Sequence, residues 1–374
     1  MSKWRVISLG LGILPVLGVA QSFETVIYTT YTEGIGASST RPGSGFGNRS
    51  VPGGSELDVY LFGSGESQSM TSAAPSLAAC KFSSGMARKS NGTVEQIVGY
   101  GQLAGGKQHA IALGYAIDVV SGRFLDDGGA SMSRALGTDG TAIVGSRNST
   151  DFAPPEAVYW DHPDASPVRL TAVGVPAEAY GVDADFITGN WAPSLSQRAV
   201  VWNRTNFDAF DLNPAGFQSS SLYGISDATG LSQTVGWGFN ALWVATGFIS
   251  AYDGANWTTE VLTTPSGFSE TYLYDTDGTN QVGSARSNSN NRQQALLWTG
   301  AGSTPVDLHG YTTGLLSSEA RHIDEFGNVF GFGLTTGFNR VGIAWMRESV
   351  PEPSCMLALA TGLAIGLLRR RPAT

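Results

Sequence analysis

The sequence predicts an all-β fold, a β-propeller of six or seven blades in which each blade is a four-stranded sheet of about 45 residues. Three observations predict this fold. One phrase ending in Gly recurs with its glycines 46, 44, 47, 47 and 48 residues apart. A phrase ending in Trp and another ending in Leu follow these glycines in a constant order. With 49 glycines and only 14% charged residues, the chain also favours short strands and tight turns over long helices.

The first phrase is a turn followed by an apolar pair and then Gly. It occupies residues 96–99, 142–145, 186–189, 233–236, 280–283 and 328–331. A glycine at a fixed place in a strand indicates that another backbone segment approaches closely. We therefore expect these glycines to lie inside the sheets rather than in loops.

The second phrase is Ala-x-x-Trp or close to it, and the third phrase ends in Leu. The second phrase occupies residues 157–160, 199–202, 241–243, 295–298 and 342–345, while residues 110–113 of the first repeat lack the Trp. The third phrase ends at Leu125, Leu170, Leu212, Leu262 and Leu308. A Trp at a fixed strand position predicts packing between neighbouring blades. In the fourth unit Trp243 follows Gly236 by only seven residues, which predicts a short middle hairpin.

Four strands are predicted in each unit. In the fifth unit they are residues 269–274, 281–285, 294–298 and 305–308. Asp277 and Gly278 supply the turn chemistry between the first two strands. The alternative architecture is a two-sheet β-sandwich, which also contains many short strands. The sustained period favours the propeller over the sandwich.

The sequence pattern of the repeat, Gly-x-x-Val-Gly followed by Ala-x-x-Trp and then Leu, resembles the HAF family of extracellular repeats. The resemblance covers about residues 85–346, and the short fourth unit departs from it. It implies an extracellular, propeller-like body. The family has no agreed activity, so the resemblance implies no reaction.

The last repeat lacks a fourth strand, because that strand would fall near residue 356 in the C-terminal tail. We expect residues 25–31 to supply it and to close the ring, which removes an open sheet edge. Residues 34–54 are predicted to be a long Gly/Ser-rich loop and residues 57–62 a strand, and both are candidates for a seventh blade. The predicted domains are a signal peptide (1–20), an N-terminal segment (21–84), the repeat domain (85–349) and a tail (350–374).

The N-terminus has the pattern of a secretory signal peptide. Lys3 and Arg5 precede an apolar run over residues 6–17, and Gly18 and Ala20 provide small residues for cleavage after Ala20. A retained membrane anchor is the alternative, but the run is too short to span a bilayer. The pattern predicts export through the Sec machinery.

The C-terminal tail has three parts in a fixed order. They are the motif Val350, Pro351, Glu352 and Pro353, an apolar stretch over residues 355–368, and the cluster Arg369, Arg370 and Arg371. This arrangement resembles the PEP-CTERM sorting signal, which implies processing by an exosortase. As a helix the apolar stretch spans about 21 Å, short of a ~30 Å hydrocarbon core. We expect a transient or retained membrane anchor, with the body on the outer side.

Charge and cysteine content exclude several classes of function. The formal net charge is −9, and without the basic residues of the two ends 17 basic residues face 31 acidic ones. Such an acidic body is unsuited to nucleic acid. Cys80 lies in the body and Cys355 in the tail, so we expect no intrachain disulfide and a buried Cys80. No cofactor is expected.

Two polar clusters are candidates for metal or acid/base chemistry. Residues 161–164 read Asp-His-Pro-Asp and stand between two predicted strands, where a solvated loop is the alternative. Asp275, Asp277 and Asn280 resemble half of a calcium loop, but the distant Glu of an EF-hand is missing. A recurring hairpin turn is the favoured explanation of the second cluster, because the same spot in other repeats also carries Asp and Gly. No metal site is assigned.

The sequence contains no convincing catalytic set, so we predict a non-enzymatic module at the cell surface or in the extracellular matrix, with exopolysaccharide as a candidate partner. Trp191, Trp237 and Trp257 lie off the repeated Trp position and either stack on sugars or pack in the core. The alternative is a secreted propeller enzyme, a glycan lyase or hydrolase. Three or more titratable groups converging in one pocket would favour the enzyme, and a channel lined by Ser, Thr and backbone would favour binding.

Overall fold

The computed structural model describes residues 21–348, except residues 30, 40–43, 62–66, 92, 117–118 and 195. Phe23–Arg347 form one compact unit. Within it the strands form seven four-stranded antiparallel sheets, so the fold is a seven-bladed β-propeller. The described helical segments are α1 (Met70–Ala73) and two short 3-10 helices, Pro75–Leu77 and His309–Tyr311. The predicted fold class is confirmed, with seven blades rather than six.

The first three blades each run from an innermost to an outermost strand. Blade 1 contains β2 (Tyr31–Ala37), β3 (Ser44–Val51), β4 (Gly54–Leu61) and β5 (Ser67–Ser69). Blade 2 contains β6 (Phe82–Ser90), β7 (Glu95–Gln102), β8 (Gln108–Ala116) and β9 (Val119–Phe124). Blade 3 contains β10 (Met132–Thr138), β11 (Ile143–Asn148), β12 (Glu156–Trp160) and β13 (Val168–Arg169).

The remaining blades repeat this order, except that the last one takes a strand from the N-terminal end. Blade 4 contains β14 (Ala177–Val182), β15 (Phe186–Trp191), β16 (Arg198–Asn203) and β17 (Ala209–Asp211). Blade 5 contains β18 (Ser219–Ser226), β19 (Gln233–Phe239), β20 (Ala245–Tyr252) and β21 (Trp257–Val261). Blade 6 contains β22 (Phe268–Thr276), β23 (Gln281–Ser287), β24 (Gln293–Trp298) and β25 (Val306–Asp307). Blade 7 contains β26 (Leu315–Ile323), β27 (Val329–Thr335), β28 (Arg340–Arg347) and β1 (Phe23–Tyr28).

The ring closes through β1, which pairs antiparallel with β28. Phe23 lies opposite Arg347 and Tyr28 lies opposite Gly342. The strand predicted at residues 25–31 therefore stands where the last repeat lacks one. Its pairing covers the outer edge of β28, so the third strand of blade 7 has a partner on both sides.

The long loop predicted at residues 34–54 is wrong, because these residues contribute to three strands of blade 1. Their glycines serve close packing rather than turns. A Cβ on Gly36 would lie 2.9 Å from Cδ of Arg88, and a Cβ on Gly47 would lie 2.9 Å from the carbonyl oxygen of Glu33. The strand predicted at residues 57–62 corresponds to β4. The repeats therefore begin earlier than residue 85.

The short middle hairpin predicted in the fourth unit is also wrong. Trp243 lies in the turn between β19 and β20, with a left-handed φ of 58°, and not in the third strand. The residue opposite Thr234, at the position where blades 3, 4, 6 and 7 carry Trp, is Ser250. The spacing was misleading because the turn itself contains an Ala-Leu-Trp sequence.

The recurring Gly is required by a β-bulge in the innermost strand. In blade 3 the bulge falls between Ala135 and Gly137, and Gly145 lies opposite Ala135. A Cβ on Gly145 would overlap the carbonyl oxygen of Arg134 and lie 3.0 Å from Cα of Ala135. The corresponding glycines of the other repeats meet the innermost strand in the same way. The Gly of the first phrase is therefore required by a close backbone contact with the innermost strand.

The Ala, Leu and Trp phrases meet at the contact between blades. The Leu125 amide donates to the Ala110 carbonyl at 2.9 Å, and the Ala110 amide donates to Oγ of Ser133 in the next blade at 3.0 Å. Trp160 of that next blade is fully buried, and its Nε1 donates to the Asp126 carbonyl at 2.7 Å. Trp202, Trp298 and Trp345 are also buried, each in a cluster with apolar residues of the preceding blade. The predicted packing of Trp between blades is confirmed.

Candidate functional site

The seven bulges present one side chain each to a central cavity of about 290 Å³. These residues hold equivalent places on the innermost strands, immediately after the residue that faces the repeated Gly. In blade order they are Ile35, Met86, Leu136, Tyr180, Tyr223, Tyr274 and Arg321. A bulge aims its extra side chain away from the regular pleat, which is a recurring arrangement at binding sites.

The wall of the cavity is divided into an apolar part and an aromatic part. Blades 1 to 3 supply aliphatic side chains, whereas blades 4 to 7 supply Tyr180, Tyr223, Tyr274 and Arg321, here called the tyrosine arc. The ring centroids of Tyr180 and Tyr223 are 5.0 Å apart, and those of Tyr223 and Tyr274 are 6.0 Å apart. The Arg321 guanidinium lies 3.8 Å from the centroid of Tyr274, within cation–π range.

The tyrosine arc is held by hydrogen bonds around its edge. The Tyr180 hydroxyl donates to Oε2 of Glu178 at 2.7 Å and accepts from Nδ2 of Asn190 at 3.1 Å. Burial raises the pKa of Tyr180 and of Tyr274 far above the ordinary value, so both hydroxyls stay neutral at physiological pH. The arc therefore offers fixed, uncharged rings next to the Arg321 guanidinium.

Arg321 is linked to a network of charges at the mouth of the cavity. Its Nη2 donates to Oε2 of Glu319 at 2.7 Å. Glu33 also lines the cavity, and one of its oxygens lies 3.5 Å from Nη2 of Arg340. Burial raises the pKa of Glu33, while Arg340 and Arg321 oppose that rise. The guanidinium groups here are thus balanced by carboxylates.

Asp275 and His322 stand one position beyond the bulge, where the other five blades have Gly or Ala. Asp275 accepts from the Thr276 amide at 2.9 Å and from the Ile323 amide of blade 7 at 3.0 Å. Burial raises the pKa of Asp275 to about 6. Burial and the neighbouring Arg321 lower the pKa of His322 to about 4. Both line the cavity, so titratable groups converge there, although both Asp275 oxygens already accept backbone hydrogen bonds.

The calcium-loop candidates are separated by the fold. Asp277 accepts from the amides of Thr279 and Asn280 at 2.9 and 2.7 Å, and its other oxygen accepts from the Asn280 side chain at 2.8 Å. Asp275 instead faces the cavity. No group of three or more potential metal ligands occurs among the residues that the structure describes. The geometry of Asp277 is that of a hairpin turn.

The cluster at residues 161–164 lies on the surface, outside the residues that line the cavity. Asp161 accepts from the Tyr159 hydroxyl at 2.6 Å, and Nδ1 of His162 accepts from the Asp164 amide at 3.2 Å. Asp164 forms an ion pair with Arg123. These contacts are those of a surface loop that satisfies its own polar groups.

The three tryptophans off the repeated position have different surroundings. Trp191 packs against one buried cluster and Trp257 against another. Trp237 stacks on Tyr223 of the tyrosine arc, with centroids 6.3 Å apart and an interplanar angle of 16°. Trp237 is therefore the predicted aromatic that adjoins the cavity.

Cys80 is a free, half-buried thiol that packs against the core of blades 1 and 2. Burial raises its pKa to about 11. Four features of the two ends lie outside the described residues: Cys355, the predicted cleavage residue Ala20, the apolar stretch 355–368 and the predicted sorting motif. That motif comprises Val350, Pro351, Glu352, Pro353, Arg369, Arg370 and Arg371. Over the part of the chain that is described, no helix is long and apolar enough to cross a membrane.

The tyrosine arc was missed from the sequence, although a signal was present. Tyr180, Tyr223 and Tyr274 each follow a small or apolar residue and stand 43 and 51 residues apart. The equivalent residues of the other blades are Ile, Met, Leu and Arg, so no shared phrase marks the position. Aligning the repeats on the glycine and counting back to the innermost strand would have found it.

Comparison with family models and with curated proteins gives no match. Solved structures do match. An oligogalacturonate lyase from Vibrio parahaemolyticus is similar at 9% identity and a TM-score of 0.52, over 89% of this chain and 98% of the lyase. An oligogalacturonate lyase in complex with manganese matches at 9% identity and a TM-score of 0.50, over 88% and 97%.

A puromycin-hydrolyzing peptidase from Mycobacterium tuberculosis is similar at 14% identity and a TM-score of 0.51. The match covers 83% of this chain, which spans about half of the peptidase. At such low identities these three likenesses bear on the fold alone.

Proposed function

We propose that this protein is an exported, non-enzymatic binding module of the cell surface or extracellular matrix, and that its tyrosine arc binds a glycan. The observation that carries the proposal is the run of Tyr180, Tyr223 and Tyr274 on consecutive blades, ending at Arg321. Sugar rings have apolar C–H faces that pack on aromatic rings, while their hydroxyls need donors and acceptors at the ring edges. The arc and its glutamates supply both.

The ends of the chain support the exported location. The signal-peptide pattern before Ala20 and the tail that resembles a PEP-CTERM signal agree on an external body. Under this proposal the Sec machinery and an exosortase are the processing partners. The extracellular polysaccharide of the producing cell is then the glycan that the protein meets first.

The test is a pull-down of the purified full-length protein with the producing organism's extracellular polysaccharide, with and without calcium, while polymer size is monitored. Retention with unchanged polymer size is the expected result. Absence of retention under both conditions would refute the proposal. Dependence on calcium would indicate a cation site, and the turn formed by Asp277 and Asn280 would be the first candidate for it.

Variants of the arc locate the site. Replacing Tyr223 by Leu keeps an apolar side chain but removes the ring, and one stacked ring contributes about 0.5–1.5 kcal/mol. We expect polysaccharide affinity to fall about three- to tenfold. Tyr311→Leu is the matched control, because Tyr311 is 39% exposed and does not line the cavity. Equal affinity of the two variants would place the binding site elsewhere, provided that both unfold at similar temperatures.

A glycan lyase or hydrolase is the second candidate, and one observation favours it. Asp275 and His322 line the cavity at positions where the other blades have Gly or Ala, and a carboxyl with a pKa of about 6 suits proton transfer. The hydrogen bonds from Thr276 and Ile323 to Asp275 favour a structural role instead. Falling polymer size that Asp275→Asn abolishes would establish the enzyme.

A further inference from the structure

A continuous series of rings leads outward from the tyrosine arc across blade 5. Tyr223 stacks on Trp237, Trp237 contacts Phe239 at 5.7 Å between centroids, and Phe239 contacts Trp243 at 6.0 Å. Trp243 stands in the turn that joins β19 to β20. The series therefore runs from the cavity to the outer end of a hairpin.

On the other side of the arc, a second series crosses blade 7. The Arg321 guanidinium lies 5.4 Å from the ring centroid of Phe332, and the Arg340 guanidinium lies 3.5 Å from the same centroid. Arg340 begins β28, next to the turn after β27. Turns between the second and third strands lie at the same end of every blade, so both series reach the same face.

Together these residues form one path, here called the aromatic track. From end to end it contains Trp243, Phe239, Trp237, Tyr223, Tyr274, Arg321, Phe332 and Arg340. Each member contacts the next and the rings are only partly buried, so the track extends beyond the cavity instead of forming one pocket. Such a surface suits a polymer that lies across the mouth of the cavity.

The outer end of the track is held out in solvent. Trp243 is 67% exposed and has a left-handed φ of 58°, which is unfavourable for a bulky residue. Asn240 holds this turn, because its carbonyl accepts from the Trp243 amide and its side chain accepts from the amides of Leu242 and Val244. Trp243 contributes little to the core, and its contact with Phe239 makes it the solvent-facing end of the track.

The guanidinium groups around the arc and the track are compensated by carboxylates. Four arginines, on blades 3, 6 and 7, are each paired with a glutamate. The pairs are Arg134–Glu178, Arg286–Glu270, Arg321–Glu319 and Arg340–Glu33, with N···O distances of 3.1, 2.6, 2.7 and 3.5 Å. The chain as a whole carries a formal charge of −9. A polyanion would meet no uncompensated cation at these pairs, whereas paired guanidinium and carboxylate groups donate to and accept from neutral hydroxyls.

We infer that the glycan is a linear, uncharged polysaccharide that lies along the aromatic track from Trp243 to Arg340. This inference rests on the proposed function and adds the class and the extent of the ligand. Trp243 provides an outer stacking position, so it contributes to the binding of long chains and not to the binding of short ones. The track selects against polyuronates because its arginines are already paired.

The test compares neutral hexasaccharides of glucose, xylose and mannose with hexagalacturonate and with the matching neutral disaccharides, by calorimetry on the purified protein. We expect a neutral hexasaccharide to bind most tightly, with an affinity that changes less than about twofold between 0.05 and 0.5 M salt. Tightest binding of hexagalacturonate, or a steep loss of affinity with salt, would overturn the inference.

The variant Trp243→Ala should weaken hexasaccharide binding about three- to tenfold and leave disaccharide binding unchanged. Leu242→Ala is the matched control, because Leu242 lies in the same turn and is 82% exposed. Equal effects of the two variants on the hexasaccharide would overturn the extended track while leaving binding at the tyrosine arc intact. If none of the saccharides bound while the polysaccharide was still retained in the pull-down, the inference would fail and the proposed function would stand.

Discussion

Replacing Gly145 by Ala tests why the repeat carries an invariant glycine. Gly145 lies in β11 opposite Ala135, next to the bulge that presents Leu136 to the cavity. A Cβ there would overlap the Arg134 carbonyl oxygen, and it would lie 3.0 Å from Cα of Ala135. These neighbours are backbone atoms of the adjacent strand, so relief requires the two strands to separate.

The expected loss of stability follows from that separation. Overpacking in a core costs about 1–3 kcal/mol when side chains can adjust, and a clash with backbone lies at or above the upper end. Moving β10 away from β11 also weakens neighbouring ladder hydrogen bonds, each contributing about 0.5–1.5 kcal/mol. We expect Gly145→Ala to lower the free energy of unfolding by about 3–4 kcal/mol.

The assay is urea unfolding followed by tryptophan fluorescence, with Gly302→Ala as the control. A Cβ on Gly302 would have no neighbour within 4 Å and its φ lies outside the left-handed range. The control should therefore be neutral or stabilised by up to about 1 kcal/mol. Equal stability of the two variants would refute the view that the bulge dictates the glycine.

Four further predictions concern other parts of the ring. The raised pKa of Asp275, about 6 against an ordinary 3.8, means that the native state binds its proton more tightly than the unfolded state. Stability should therefore fall as pH rises from about 4 to about 6, by about 2–3 kcal/mol relative to Asp275→Asn. A pH-independent difference in urea unfolding would contradict this. Trp160→Phe should cost about 2–3 kcal/mol, because it leaves a void and an unpaired Asp126 carbonyl. Trp243→Ala should cost under about 0.5 kcal/mol in the same unfolding assay. Deleting Phe23–Tyr28 should expose the β28 edge, lower the melting temperature and cause concentration-dependent association in sedimentation. An unchanged monomer would argue against closure by β1.

The repeat could be predicted because its markers are fixed by contacts that recur around the ring. The Gly faces a bulged backbone, the Ala and Leu share a backbone hydrogen bond, and the buried Trp packs against the preceding blade. Each of these contacts restricts the residue type. The period and the order of the strands therefore appear directly in the sequence.

The candidate site could not be predicted in the same way. Residues at the bulge share a backbone position but face a cavity, where the contacts that define the repeat place no limit on the side chain, so Ile35 and Tyr180 occupy equivalent places. In blade 1 the high glycine content suggests a loop. Gly36 and Gly47 instead permit close packing of the strands. In blade 5 the Trp of a turn was mistaken for the Trp of a strand.

The pairing of β1 with β28 dictates the order in which the molecule can fold. During synthesis β1 emerges first, and its partner emerges only after the six intervening blades. Joining such distant strands in an otherwise unfolded chain would cost about 5 kcal/mol of loop-closure entropy, against about 1.5 kcal/mol for a short hairpin. Blades 1 to 6 must therefore assemble first and bring the ends together. Until then β1 stays free, and the chain lacks the contact that joins its first and last blades into one cooperative unit.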